Sequence, residues 1–362
     1  MSTCTHIPST TEDFWPNEEL EFTLMCPLCS SKRRCLVHCN LRDRVFHCAP
    51  GLWSLWECMD CKCAYLNPRP SRETISRAYL CYFTHGDDLP DAHVGRIKNM
   101  WRQIRAAYDQ AQNPWIPSNT EMAPMHCLMR LIAPIFREQW RVRSRVYPPS
   151  SGRRLLDVGC GNGDYLRIAS ELGWDAHGID PDPEAVARAT SKALQVRCSD
   201  LDTEAHDSPL SYDAITLSHA IEHFHDPIAA LRSCWTLLRP GGILWLSTPR
   251  WRSAGYQHFQ ENWVHLDPPR HLVLFTENNI HNALAQVNFT DVKLHPPGRV
   301  NSYVWKVSSA LRQNISDPLR HPAPLLLRES LRAFWEDAMS LWFPSAGEQL
   351  IVTAKKNEAG NG

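Results

Sequence analysis

From Gly152 onward, short apolar runs alternate with stretches whose apolar residues recur every three or four positions. Arg154 to Val158, Ala176 to Ile179, Gln195 to Cys198, Ala214 to Leu217 and Ile243 to Ser247 read as buried strands. Between them, Asp164 to Leu172 places Leu166, Ala169 and Leu172 on one helical face and stops at Gly173. Asp182 offers a helix cap followed by Pro183, which is tolerated at the first helical position because the N–H it lacks would be unpaired anyway. Pro227 to Leu238 carries Ile228, Leu231 and Leu238 on one side, and Pro240-Gly241-Gly242 turns the chain into the next strand. Strands and helices alternating at this spacing predict βαβ units and a mostly parallel sheet, whose ligands bind beyond the carboxyl ends of its strands.

The preceding half has a different pattern. Residues 1–21 are polar and expected to be frayed. Residues 22–72 are rich in Cys and end in Tyr65-Leu66-Asn67-Pro68-Arg69-Pro70, where the two prolines should stop any strand. Ser71 should then cap a helix with Glu73 in its first turn. Residues 72–147 read as helical with breaks at Pro90, Pro114, Pro117 and Pro124, the longer stretches being Arg96 to Gln112 and Met125 to Tyr147. Pro148 to Gly152 reads as a linker. The expected organisation is a flexible N-terminus (1–21), a small Cys-rich module (22–72), a helical linker or cap (73–148), an α/β domain (149–356) and a tail (357–362).

Composition narrows the class. At 43% apolar and 21% charged, the chain is globular rather than disordered. Its 38 Lys and Arg against 39 Asp and Glu leave a net charge of −1, which excludes a basic polyelectrolyte that coats nucleic acid. No apolar run approaches the ~18 residues of a membrane span, and Met1 to Thr11 has no apolar core of a signal peptide. The expected location is the cytoplasm.

Ten of the 14 Cys lie at positions 4 to 81. Without a secretion signal, metal binding explains this clustering better than disulfides. Cys26-Pro27-Leu28-Cys29 and Cys58-Met59-Asp60-Cys61 form two C-x-x-C pairs. Each such turn supplies two thiolates, and zinc takes four in a tetrahedron. Cys26, Cys29, Cys58 and Cys61 are therefore the expected ligands of a structural zinc. Cys63, or His47-Cys48, stays open as a substitute for one of them. Cys35, Cys39 and Cys81 are expected to be buried small hydrophobes.

The first α/β strand ends in Asp157-Val158-Gly159-Cys160-Gly161-Asn162-Gly163-Asp164. A dinucleotide fingerprint needs a third glycine where Asp164 stands, and an acid there repels a pyrophosphate. A ligand without phosphates and with a positive centre suits the loop better. Asp180 ends the next strand, where an acid can accept both ribose hydroxyls of an adenosine.

At these residues the chain resembles the class I S-adenosylmethionine-dependent methyltransferases. Cys198-Ser199-Asp200-Leu201 resembles the family segment after strand three, Tyr212 to His223 its strand four and following loop, and Leu238-Arg239-Pro240-Gly241-Gly242 its L-x-P-G-G turn. Trp263 to Leu272 resembles the cap segment of members that act on small molecules and sugars. Thr276 then caps a helix with Ile280, Leu284 and Val287 on one face. Asp291 to Leu294 would be strand six and Leu350 to Ala354 strand seven, with cap insertions at about 250–275 and 296–347. The two C-x-x-C pairs followed by Asn67-Pro68-Arg69-Pro70 resemble the zinc-ribbon leader of one branch. That branch often carries Gly where Ser30 and Lys62 stand here.

The resemblance implies a Rossmann-like seven-stranded, mostly parallel sheet with helices on both faces, preceded by the ribbon and a helical segment. It implies S-adenosylmethionine held by Asp157, Gly159, Cys160, Gly161 and Gly163, by Asp180 and Pro181, and by Asp200, Leu201 and Ser218. Candidate bases or substrate contacts are His219 and His223 after strand four, and His265 and His271 on the cap. Arg270 is a candidate for an acceptor carboxylate or phosphate, or a structural ion pair. Trp251 and Trp263 are candidates for the wall of an acceptor pocket.

The expected function is methyl transfer to a small-molecule acceptor, with a lean to a sugar, a glycan precursor or a specialised metabolite. Two alternatives stand beside it: a nucleic-acid or protein methyltransferase that reads its substrate through the ribbon, and a non-catalytic scaffold that binds the cofactor. Ser218-His219-Ala220-Ile221 occupies the place of the N/D-P-P-F/Y-like motif of nucleic-acid amine methylation, which disfavours nucleic acid.

Overall fold

The computed structural model describes residues 14–80, 142–146, 150 and 152–357. Cys81, the helical stretch expected at Arg96 to Gln112, most of that at Met125 to Tyr147, and most of the tail lie outside the described residues.

The N-terminal part forms two small sheets. Strands β1 (Leu20–Glu21) and β5 (Arg69–Pro70) pair with each other. Strands β2 (Arg34–Leu41), β3 (Trp53–Cys58) and β4 (Ala64–Leu66) form an antiparallel sheet, and a distant fourth strand, β11 (Val273–Leu274), pairs with β4. Order therefore reaches into the segment expected to be frayed, and the prolines at 68 and 70 do not end strand pairing. A two-residue edge tolerates a proline whose missing N–H is not needed by the ladder, and Arg69 fastens this edge through an ion pair with Glu21. Ser71 also departs from expectation. Its carbonyl, not its side chain, receives the N–H groups of Thr74 and Ile75, and a 3-10 turn over Ile75–Tyr79 follows.

The C-terminal part is a seven-stranded sheet. Its strands are β6 (Arg154–Val158), β7 (Asp175–Asp180), β8 (Gln195–Cys198), β9 (Tyr212–Ser218), β10 (Leu238–Pro249), β12 (Phe289–His295) and β13 (Gln349–Lys356). Their order across the sheet is β8-β7-β6-β9-β10-β13-β12, and β13 alone runs against the rest. Strand alternation sends Leu156, Val158, Ile215, Leu217, Leu244 and Leu246 to one face, and Leu155, Ala214 and Trp245 to the other. Helix α1 (Asp164–Glu171) covers the second face; α4 (Pro227–Leu237) and α6 (Glu277–Gln286) cover the first. Helices α2 (Pro183–Ser191) and α3 (Leu201–Asp207) lie between them in the chain.

The caps expected from the sequence form. The Asp182 side chain accepts from the Glu184 N–H, and Thr276 makes a reciprocal capping box with Asn279. Strand β10 begins before the Pro240-Gly241-Gly242 turn rather than after it, with a register shift between Leu238 and Ile243. Between β12 and β13, helices α7 (Asn301–Arg312) and α8 (Leu327–Met339) fill the expected helical insertion; α5 (Ala254–Phe259) precedes β11.

The ribbon is not an appendage. Trp53, Leu55 and Tyr65 share one apolar core with Leu217, Ile221 and Leu274 of the α/β part. Glu57 of β3 accepts from Trp251 Nε1 at 2.9 Å and from Arg252 at 2.6 and 2.8 Å.

Candidate functional site

Val158 lies opposite both Ile179 and Leu217, so the loops after β6, β7 and β9 leave the sheet at one edge. Gly159, Gly161 and Gly163 all have positive φ (69°, 53° and 81°), which folds the loop back over the strand ends. The Gly159 and Cys160 N–H groups donate to the Ile179 carbonyl. The Gly161 N–H donates to Asp180 Oδ2 at 2.8 Å and the Asp182 N–H to Oδ1 at 2.9 Å. Each Asp180 oxygen keeps a further lone pair, the arrangement that two neighbouring ribose hydroxyls require. Burial raises the Asp180 pKa, against the two backbone N–H groups that lower it.

Other expected cofactor residues are placed less directly. Asp157 turns away from the loop: its Oδ1 accepts from Thr216 Oγ1 and from Arg145, each at 2.5 Å. The Cys160 side chain points into the sheet, and Leu201 buries its side chain in the core, so neither presents a side chain to a ligand. Asp200 caps α3 by accepting from the Thr203 N–H at 2.8 Å, and its side chain is exposed. Pro181 is exposed beside Asp180, and Ser218 is half-buried at the end of β9.

Gly178 explains how Cys160 fits. A Cβ there would lie 2.6 Å from Cys160 Sγ and 2.7 Å from Leu166 Cδ1. Gly178→Ala should cost about 1–3 kcal/mol by overpacking and push the glycine loop outward. Chemical denaturation and S-adenosylhomocysteine titration would register both effects, and unchanged values in both would show that the loop adapts freely.

The four candidate histidines converge on a buried acid. Glu222 ends its side chain between His219 Nδ1 at 3.2 Å and Thr248 Oγ1 at 3.0 Å. The rings of His219 and His265 stack at 6.0 Å, and those of His223 and His271 approach to 5.0 Å. His219 Nε2 faces the Gln349 side-chain oxygen at 3.2 Å, while that amide's nitrogen donates to the Pro297 carbonyl. Both His219 nitrogens therefore face acceptors, the pattern of an imidazolium.

Titration follows these contacts. Burial works to lower the His219 pKa, but the Glu222 hydrogen bond and charge outweigh it and the value rises. Burial also works against the Glu222 carboxylate, yet the same contact holds it down at about 2. His271 is pushed down to about 4 by burial and by His223, and His265 also falls below the ordinary range through burial.

His223 Nδ1 meets the Arg270 carbonyl at 2.9 Å, and His271 Nδ1 meets the His265 carbonyl at 2.7 Å. A carbonyl only accepts, so both Nδ1 atoms donate, and the Tyr79 hydroxyl also lies 3.0 Å from His223 Nδ1.

Arg270 is not available to an acceptor. Its guanidinium is fully buried and donates to Asp43 at 2.7 and 3.0 Å, to Asp267 at 2.6 and 2.9 Å, and to the Ala78 carbonyl at 2.9 Å. The structural reading of Arg270 holds, and the acceptor reading is corrected. Trp251 and Trp263 are likewise core residues, 2% and 1% exposed, with their indole N–H groups on Glu57 and Glu348.

At the N-terminal end, one sulfur from each of Cys26, Cys29, Cys58 and Cys61 lies within 4.8 Å of the others. The two turns repeat each other: Cys26 and Cys58 N–H groups bond to Ser31 and Cys63 carbonyls, and their carbonyls receive Ser30 and Lys62 N–H groups. Ser30 and Lys62 adopt φ of 58° and 63°, the left-handed conformation a glycine would take with less strain. Hydrogen bonds from Cys61 and Cys63 hold the Cys26 thiol down at about 5. The donor set suits zinc.

Cys63 Sγ is buried beside this group, 3.3 Å from Cys26 Sγ. His47 and Cys48 turn elsewhere, to the Ser316 and Ala78 carbonyls. Cys35 and Cys39 are exposed on β2, not buried as expected.

Two residues of this region escaped the sequence reading. Glu222 is flanked by His219 and His223, a signal visible in hindsight. Arg145 precedes the expected domain start, stacks over Tyr165 at 3.6 Å and reaches Asp157; nothing local marks it.

Residues 132–294 match the family model described as a methyltransferase domain. The match begins before residue 149, consistent with Arg145 packing into the sheet. The ubiquinone biosynthesis O-methyltransferase of Xanthomonas campestris pv. campestris (strain B100) is 36% identical over 142 residues, covering 38% of this chain and 56% of that protein. The mitochondrial ubiquinone biosynthesis O-methyltransferase of Rattus norvegicus is 29% identical over 146 residues, covering 37% and 42%. The chain thus spans about half the length of the curated relatives it matches. A SAM-dependent methyltransferase from Archaeoglobus fulgidus is similar at 18% identity and a TM-score of 0.40, covering 63% of this chain and 94% of that one. Among the described residues, no helix is long and apolar enough to cross a membrane.

Proposed function

We propose that this protein transfers a methyl group from S-adenosylmethionine to a hydroxyl oxygen of a small-molecule acceptor, of the sugar, glycan-precursor or specialised-metabolite class. The observation that carries this reading is the shared edge: a Cβ on Gly159 would lie 3.5 Å from Ala220 Cβ, so the glycine loop abuts the turn bearing His219, Glu222 and His223. The O-methyltransferase names of the relatives support oxygen as the acceptor atom.

When bound, S-adenosylmethionine supplies an electrophilic methyl carbon. Asp180 accepts the ribose hydroxyls, and the Gly161 N–H fixes that carboxylate. The acceptor oxygen must lose its proton as it attacks, and His223 or His271 would receive it at Nε2. The cap segment keeps water out; the Leu272 N–H donates to the Glu222 carbonyl at 2.8 Å and holds cap and turn together. Cys26, Cys29, Cys58 and Cys61 hold a structural zinc that takes no part in the transfer.

Asp180→Ala should weaken S-adenosylhomocysteine binding by on the order of 100-fold, the loss of two hydrogen bonds to a charged group. Calorimetry on the full chain measures it, and unchanged affinity would place the ribose elsewhere. Methyl-labelled S-adenosylmethionine with a fractionated cell extract tests the acceptor. Label in small metabolites or sugar derivatives is expected; label in RNA, DNA or protein would overturn the reading.

A further inference from the structure

We infer that the outer face of helix α8 (Leu327–Met339), with the turn after it, docks onto the same face of a second copy of this chain, the two helices antiparallel about a two-fold axis. The helix is inverted. Its buried residues are Glu329 and Ala333, whereas Leu327, Leu331, Phe334 and Trp335, with Trp342 and Phe343 just beyond, are between 49% and 78% exposed. Positions 327, 331, 334 and 335 follow the i, i+4, i+7, i+8 spacing of one helical stripe, on the side opposite Glu329 and Ala333. A surface helix ordinarily turns such a stripe to the core.

Polar ties hold the stripe outward. Glu329 accepts from His258 Nε2 of α5 at 2.8 Å and from Arg312 of α7 at 3.0 Å. Asp337 accepts from the Asn301 N–H at 2.9 Å, and Ser340 Oγ donates to the Gly298 carbonyl at 2.7 Å. These anchors all lie on the inner side. Rolling the apolar stripe inward would break them and strand their partners, at a cost of about 1–3 kcal/mol for each buried group left unpaired.

Area and charge point to a second copy as the occupant. An aromatic side chain buries about 150–250 Å², so at these exposures the four aromatic rings alone present on the order of 500 Å². A standard interface takes ~800 Å² from each partner, and the leucines and the helix flanks supply the remainder. Beside the stripe runs the row Arg328, Arg332 and Glu336, at i, i+4 and i+8. An antiparallel copy brings this row against itself in reverse, so Arg328 and Arg332 of one helix meet Glu336 of the other, and the two-fold repeats the contact. A helix that lies on a membrane carries Lys and Arg along its polar face; here that face also holds Glu329, Glu336 and Asp337. The inference stands apart from the methyl-transfer reading.

Sedimentation velocity of the full chain, purified with zinc present, tests it. A dimer at micromolar concentration is expected. Leu331→Asp places a charge in the middle of the stripe and should weaken association about 100-fold or more. Arg328→Glu combined with Arg332→Glu should weaken it about tenfold, and adding Glu336→Arg should restore it, because the pairs are rebuilt with their signs exchanged. A role confined to one chain would not show that restoration. Circular dichroism and S-adenosylhomocysteine titration report folding, and Trp335→Asp replaces Leu331→Asp should that variant fail to fold. A monomeric wild type would overturn the inference, and flotation with phosphatidylcholine–phosphatidylglycerol vesicles would then show whether lipid covers the face instead. A dimer that every variant leaves unchanged would also overturn it, by placing the interface elsewhere.

Discussion

Cys26→Ser combined with Cys61→Ser is expected to release the zinc and unfold the N-terminal sheet. Each of the two turns would lose one thiolate, and a tetrahedral site cannot be closed by the two that remain. Structural zinc contributes about 10–16 kcal/mol in isolated finger peptides, more than a small sheet gains from its own burial. The consequence reaches beyond the ribbon. Trp53, Leu55 and Tyr65 share a core with the α/β part, and Val273–Leu274 depends on β4 for pairing. Loss of the metal should therefore lower the thermal midpoint of the whole described structure rather than melt a separate module. Elemental analysis, differential scanning calorimetry and counting of reactive thiols measure this together. A folded wild type without zinc, or a variant with an unchanged midpoint, would refute the zinc reading.

Arg270→Met is the second large effect. It would leave Asp43 and Asp267 facing each other without their cation, and Asp43 is 6% and Asp267 7% exposed. Breaking a buried pair by removing one partner costs about 3–5 kcal/mol. The pH dependence has a definite sign. Burial opposes ionisation of Asp43, but the hydrogen bond and charge of Arg270 prevail and hold its pKa below the ordinary carboxylate range. Stability from a lowered carboxyl pKa is present above the unfolded value and lost as pH falls through the folded one. The gap between wild type and variant should thus be full at neutral pH and narrow below about pH 4. Urea denaturation at both pH values measures it. A loss under about 1 kcal/mol at neutral pH would mean that water reaches the two acids. Adding Asp43→Asn should restore part of the loss, since it removes one stranded charge.

The reach of the sequence varied with the range of the interaction. Asp182 and Thr276 cap the helices expected of them because a cap involves residues two or three positions away. The glycine loop and Asp180 were legible for a similar reason: strand, turn and helix follow directly on one another. The position of Asp157 in the pattern was legible too, but its partner was not. Arg145 reaches it from outside the expected domain, and no periodicity links the two. Arg270 carried an ambiguity that its neighbours could not resolve, since one of its two acids is Asp43, far away in the ribbon. Cys35 and Cys39 were misjudged because the preference of free cysteine for burial says nothing about how much of β2 the rest of the chain covers.

By itself the sequence determined the order of the seven strands of the α/β sheet, the metal-type spacing of Cys26, Cys29, Cys58 and Cys61, and the turn that brings the glycine loop against Asp180. These follow from backbone periodicity, turn chemistry and short spacings, which act between neighbours in the chain. Only the tertiary structure decided that the ribbon completes its sheet with Val273–Leu274, that Arg270 is a buried tie, and that His219, His223, His265 and His271 gather around Glu222. Each of these joins residues far apart in sequence. Their proximity comes from burying a common core and satisfying the polar groups trapped within it, and that solution exists only once the whole chain has folded.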